Sequence, residues 1–151
     1  MRFAGLAALL LIAGCASGGR PAEPGPSLVG RWLSGSSVTD YQTARFFESG
    51  QCVFMGNRAN AIGQFKLSGP KLSILVSLPA AGGPGFVPSP GNETQIDLVV
   101  SVEGKTLRLA DPSGRLLGQP GAELAFRQVD APEHERVVSE ITKARTVKTA
   151  E

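Results

Sequence analysis

Between Gly30 and Phe126, apolar side chains recur at every second position in short runs cut by glycine, proline and other turn residues. In one run Ala61, Gly63, Phe65 and Leu67 fall on one face, and in the next Leu72, Ile74, Val76 and Leu78 do, while Lys66, Lys71, Ser73 and Ser77 take the other face. A period of two, apolar against polar, marks half-buried antiparallel strands. Ser49 and Gly50, Gly69 and Pro70, and Glu103 and Gly104 are hairpin-length connections, and Asp111-Pro112-Ser113-Gly114 is a turn with proline at its second position. Strands are expected at 28–33, 41–48, 51–55, 60–68, 71–78, 94–102, 105–110, 115–118 and 122–129. No connection has room for a crossover helix, which excludes a parallel sheet. The fold class that follows is all-β, a small antiparallel up-and-down barrel of about eight strands, because closure hides the edges of a lone sheet. At that strand number side chains just fill the interior. The large inward aliphatics leave space for a small pocket only.

The end of the chain changes character. Asp130-Ala131-Pro132-Glu133 reads as a helix start, with an N-cap residue, proline in the first turn and glutamate three residues after the aspartate. Val137, Val138, Ile141 and Ala144 then recur at helical spacing. Two readings stand, a helix packed on the outside of the barrel, which is preferred, and a solvated tail. Residues 146–151 read as tail in either case.

The beginning differs again. Arg2 precedes an apolar run over 3–12, followed by Ala13-Gly14-Cys15. A charged n-region, a short h-region and small residues before a cleavage point make a signal peptide, and the run is shorter than the roughly 20 residues that span a bilayer. The aliphatic-Ala-Gly-Cys sequence resembles the lipobox of bacterial lipoproteins. The resemblance implies that Cys15 is acylated and becomes the first mature residue. Residues 16–26, rich in Gly, Pro and small side chains, have nothing to pack and read as a tether, about 35 Å at full stretch. The expected organisation is thus signal 1–14, lipidated Cys15 with a linker to 26, barrel 27–130, and helix and tail 131–151. Ala16 lacks the aspartate that holds some lipoproteins in the inner membrane, so the resemblance points to the cell envelope, at the outer membrane and facing the periplasm.

The barrel itself resembles the small lipocalin-like barrels. Gly30-Arg31-Trp32 opens it as Gly-x-Trp, and Phe46-Phe47-Glu48-Ser49-Gly50 follows. The segments 63–72, 107–114 and 126–129 continue the order to Val129. The resemblance implies that Trp32 plugs the closed end and that Arg127 packs over it. Alternation sets Arg127 on the face opposite Leu124 and Phe126, so that contact requires a bulge.

Chemistry is sparse. The 15 basic and 13 acidic residues are scattered, which excludes the basic face a nucleic acid needs. With Cys15 committed to lipid, Cys52 is left as a lone, buried, hydrophobe-like thiol. His134 is the one histidine; it is expected on a charged, solvated helix face, and one histidine makes no zinc site. The carboxylate pairs Asp97 with Glu103 and Asp40 with Glu48 read as outward or turn positions, and Asn92-Glu93-Thr94 is a sequon without use in a bacterial lipoprotein. Neither catalysis nor a cofactor or metal is expected. Binding is the better expectation. Tyr41, Arg45 and Phe47 share a strand face and are candidates to line a barrel mouth with Trp32, under a Pro/Gly-rich loop at 79–92 that carries Phe86. The ligand class is small and apolar or amphipathic. The alternative is a structural or inhibitory envelope protein that engages another protein through its outer surface and loops.

Overall fold

A computed structural model describes residues 27–56, 60–77 and 93–149. Within them the alternating runs form eight strands: β1 (Gly30–Ser34), β2 (Gln42–Phe46), β3 (Gln51–Gly56), β4 (Ala61–Ser68), β5 (Lys71–Ser77), β6 (Glu93–Glu103), β7 (Thr106–Asp111) and β8 (Ala122–Val129). Each is antiparallel to the next, and β8 pairs with β1 to close the barrel. One helix follows, α1 (Ala131–Thr149). The expected barrel of about eight strands with a C-terminal helix is the fold.

Up-and-down order gives the barrel two unlike ends. At the hairpin end lie the tight connections β2–β3, β4–β5 and β6–β7, together with the start of β1 and of α1. At the loop end lie the longer connections, including the one from β7 to β8. The β2–β3 connection is one residue longer than the expected pair. Phe47 N–H donates to Gln51 O, Gly50 N–H donates to Phe47 O, and Gly50 takes φ 84°. That is a three-residue loop with glycine in the left-handed position.

Strand registers place Trp32, Ala44, Phe46, Cys52, Phe54, Leu72, Ile74, Leu98, Leu109 and Phe126 inside, where one core runs the length of the barrel. Each Leu, Ile, Val or Phe so buried contributes about 1.5–3 kcal/mol. Phe46 meets Phe54 and Phe65 edge-on, with ring centroids 5.8 and 5.1 Å apart. Gly63 allows β4 and β5 to press together: a Cβ there would stand 2.1 Å from the Leu75 carbonyl oxygen.

Residues 115–118, expected as a strand, are turns instead. Asp111, fully buried at the end of β7, explains the change. Its carboxylate accepts from Ser113 Oγ and Gly114 N–H, both at 2.9 Å, and from Leu116 and Leu117 N–H at 2.7 and 2.8 Å. Backbone N–H groups that turn inward to one carboxylate cannot also serve a ladder. The same curl drives Leu116 and Leu117 into the core and roofs the loop end.

The helix begins where Asp130 accepts from Glu133 N–H at 2.9 Å, an N-cap. It runs back along the outer wall toward the loop end. His134, Val137 and Ile141 make its buried stripe, against Leu33, Tyr41, Met55 and Val129. Helical structure continues past the expected start of the tail at 146, and Arg145 donates to Gly56 O and to Asn60 Oδ1. Of the two readings of this segment, the packed helix is the one observed.

Candidate functional site

The signal segment, Cys15, the tether and the 79–92 loop with Phe86 lie outside the described residues. The other four predicted binding residues divide between the two sides of the barrel wall. Trp32 points inward near the hairpin end, 1 % exposed, and its indole N–H donates to Leu28 O at 2.9 Å. Around it the wall is packed. Leu72, Ile74, Leu107 and Leu109 are wholly inaccessible, so no water-sized space opens beside them. Tyr41 is on the other side, under α1 with Leu33, Val137 and Ile141. The expected joint mouth of Trp32 and Tyr41 is therefore not formed. Pairing explains why: Trp32 stands opposite Ala44, which shares its inward face, while Arg31 stands opposite Arg45 on the outward one.

Arg45 and Phe47 do come together. The Arg45 guanidinium lies 4.3 Å from the Phe47 ring centroid, a cation–π contact. Together with Val29, Gly30, Arg31, Glu48 and Ser49 they line an open groove of about 400 Å³ on the outer wall at the hairpin end. Arg127, carried over as the partner of Trp32, is not near it in role. No bulge forms; β8 keeps its register, with Arg127 opposite Leu33 and exposed, and its guanidinium grips the Glu133 carboxylate in the first turn of α1.

A residue expected on a solvated face completes the neighbourhood. His134 is buried, 7 % exposed, and its Nε2 has no hydrogen-bond partner; neither has Arg31 Nε. Burial pulls the imidazole pKa below its ordinary value, and the charges of Arg31 and then Arg45 push the same way, against a weaker opposing pull from Glu135. The sequence carried a signal for this. His134 precedes Val137 by three positions and Ile141 by seven, the spacing of one helix face; its charged neighbours Glu133, Glu135 and Arg136 hid it.

Across four strands the outward row reads Val129, Arg31, Arg45, Val53. Two like charges stand directly opposite each other, an arrangement that disfavours the sheet, with an aliphatic residue on either side. Among the described residues neither arginine has a carboxylate within ion-pair distance.

The suspected carboxylate pairs are apart. Asp97 and Glu103 stand six residues apart on β6, about 20 Å. Asp97 is tied to Lys71 at 2.9 Å and to Ser73 at 2.7 Å, which hold its carboxyl down to about 2. Asp40 accepts from Ser37 and Ser36 N–H in its own turn, at the end of the barrel away from Glu48. Among the described residues no three His, Cys, Asp or Glu side chains converge as a metal site. No described helix is long and apolar enough to cross a membrane. Cys52 is buried beside Gly63, and burial pushes its thiol up to about 12. No family model, curated protein or solved structure matches the chain.

Proposed function

We propose that this chain is a lipid-anchored lipoprotein of the bacterial cell envelope, held at the outer membrane through Cys15, and that its lipocalin-like barrel binds a small amphipathic molecule without catalysis. The groove beside Arg31, Arg45 and Phe47 carries the reading. It offers Val29 and the Phe47 ring to an apolar portion and two cations to a polar one, whereas among the described residues Leu72, Ile74, Leu107 and Leu109 inside the barrel leave no accessible surface. The groove also sits at the end where residue 27 joins the barrel, the side on which a tether from Cys15 would hold the membrane.

Two measurements test the reading. Mass spectrometry of membrane-extracted protein should find an acylated Cys15 as the first residue; an intact, unmodified N-terminus refutes the anchor. Starting at position 15 and carrying Cys15→Ser, the chain should bind a fluorescent fatty acid saturably at micromolar concentration, and Phe47→Ala should weaken that binding about tenfold. Absence of saturable binding removes the ligand reading.

A second reading, engagement of an envelope protein, draws on Ile62, Leu75 and Val99, which are 40–50 % exposed on the outer wall of β4 to β6. Crosslinking in the native envelope tests it, and recovery of no partner ends it.

A further inference from the structure

Three groups able to carry or donate positive charge converge at the hairpin end. Arg31 and Arg45 are cross-strand neighbours on the outward face. His134 is buried in the first turns of α1, which packs on β1 and β2, and both arginine charges act on its imidazole. The neighbourhood holds two nitrogens that the fold leaves unpartnered, His134 Nε2 and Arg31 Nε, both inaccessible to solvent. A buried polar atom without a partner is unfavourable, and two opposed guanidinium groups add repulsion. Neither cost serves packing, since valines flank the pair on both sides. Of the carboxylates nearby, Glu48 at the rim of the groove and Glu135 on the helix are both exposed, and neither forms an ion pair with an arginine of the cluster.

We infer that Arg31 and Arg45, at the groove that they line, form a binding site for a phosphate oxyanion, with His134 buried behind them. One bound anion would neutralise the opposed guanidiniums and occupy the open groove that they line. Phosphate fits better than carboxylate. Two guanidinium groups here approach from neighbouring strands, and a tetrahedral group with several acceptor oxygens meets both forks, while a planar carboxylate meets one. Phe47, already against Arg45, would border whatever the phosphate carries. The inference deepens the groove reading and rests on it for the apolar part of the ligand. Its source is either a phosphate headgroup bearing acyl chains or free phosphate, and the two are separable by experiment.

The test uses the chain from position 15 with Cys15→Ser and follows the imidazole resonances of His134, unambiguous because the chain has a single histidine. Probes are dodecyl phosphate, dodecyl maltoside as the neutral match of equal chain length, both below their micellar concentrations, and inorganic phosphate. Dodecyl phosphate is expected to shift His134 saturably and to bind at least tenfold more tightly than dodecyl maltoside. Saturation by inorganic phosphate alone supports the site with a free-phosphate source; saturation only with the alkyl chain attached supports it with a lipid source. In Arg31→Gln/Arg45→Gln the tenfold preference should vanish, with the fluorescence of Trp32, the single tryptophan, unchanged to show the barrel intact. Should that double variant not fold, Arg45→Gln alone should cut the preference severalfold. Equal affinity for phosphate and maltoside heads, or a preference that survives both substitutions, overturns the site. Tight dodecyl maltoside binding without any phosphate preference sinks this inference and leaves the groove reading standing. Phosphate binding without a gain from the alkyl chain does the reverse.

Discussion

Asp111 and His134 are both buried polar side chains, at opposite ends of one barrel, and their surroundings could hardly differ more. Asp111 collects four hydrogen bonds, three of them from backbone N–H groups that have turned inward to meet it. His134 has an orphan nitrogen, two cations beside it, and an arginine whose Nε is equally unserved. The first arrangement is what a structural polar residue looks like, since a buried acceptor is tolerable once satisfied. The second has paid for burial without a structural return. Even the pKa values of the two groups fall for unlike reasons. Burial is the largest influence on Asp111 and pushes its carboxyl up, but hydrogen bonds from Leu117, Ser113, Leu116 and Gly114 together outweigh it and leave the value lowered. For His134 burial and the arginines act in the same direction.

Substituting each residue sharpens the contrast. Asp111→Ala strips partners from the Leu116 and Leu117 N–H groups and unroofs the loop end; a loss of about 4 kcal/mol is expected in urea denaturation. A loss below about 1 kcal/mol would mean that the turn finds other acceptors. Gly63→Ala, on the satisfied side of the wall, forces a methyl into the Leu75 carbonyl and should cost about 2 kcal/mol; an unchanged midpoint would show that β4 and β5 have slack. His134→Leu should go the other way and stabilise by about 1 kcal/mol, because it removes an unpaired polar atom from a buried site. Destabilisation there would reveal a partner for the imidazole and erase the contrast.

Acid separates the two groups without mutation. Both have folded pKa values below their unfolded ones, so the unfolded chain takes up more protons and stability declines as pH falls. The His134 contribution should be lost first, as pH drops below about 6.5, and that of Asp111 only below about 4. In His134→Leu the upper phase should disappear from the stability profile; its persistence would assign it elsewhere. The smallest effect concerns Cys52. With its thiol pushed up to about 12 and wholly buried, peptide mapping after iodoacetamide at pH 8 should find it unlabelled until the barrel unfolds.

How much of this was legible beforehand follows from what each residue depends on. Strand number, antiparallel order and the inward set from Ala61 to Phe126 depend on local alternation, which the sequence displays directly. The turns at Gly69 and Gly104 are similarly local. The expectation of a strand at 115–118 fails because the carboxylate that curls these residues lies several positions upstream, at the end of another strand. Tyr41 and Trp32 were joined in one mouth because parity within a strand does not tell which face is turned toward the barrel axis; only the pairing of Trp32 with Ala44 decides that. For His134 identity and position conflict: a histidine among charges looks solvated, though its spacing to Val137 and Ile141 sets it on the buried stripe. Of the predicted binding residues, Arg45 and Phe47 stand together, while Arg31, the middle residue of Gly-x-Trp, joins them only through the pairing of β1 with β2.

The seam between β1 and β8 joins Arg31 to Val129, Trp32 to Gln128 and Leu33 to Arg127, residues nearly a hundred positions apart. It is short, and every other junction is between neighbours in the chain. An emerging polypeptide can therefore zip its hairpins as they appear, yet β1 must wait, one edge bare, until the last strand has been made. The loop that the seam closes is the longest in the barrel and carries the greatest entropic toll. The helix that follows at once, tied by Arg127 to Glu133 and by Arg145 to Gly56, packs on β1 and β2, so the segment made directly after the closing strand holds the first strands in place.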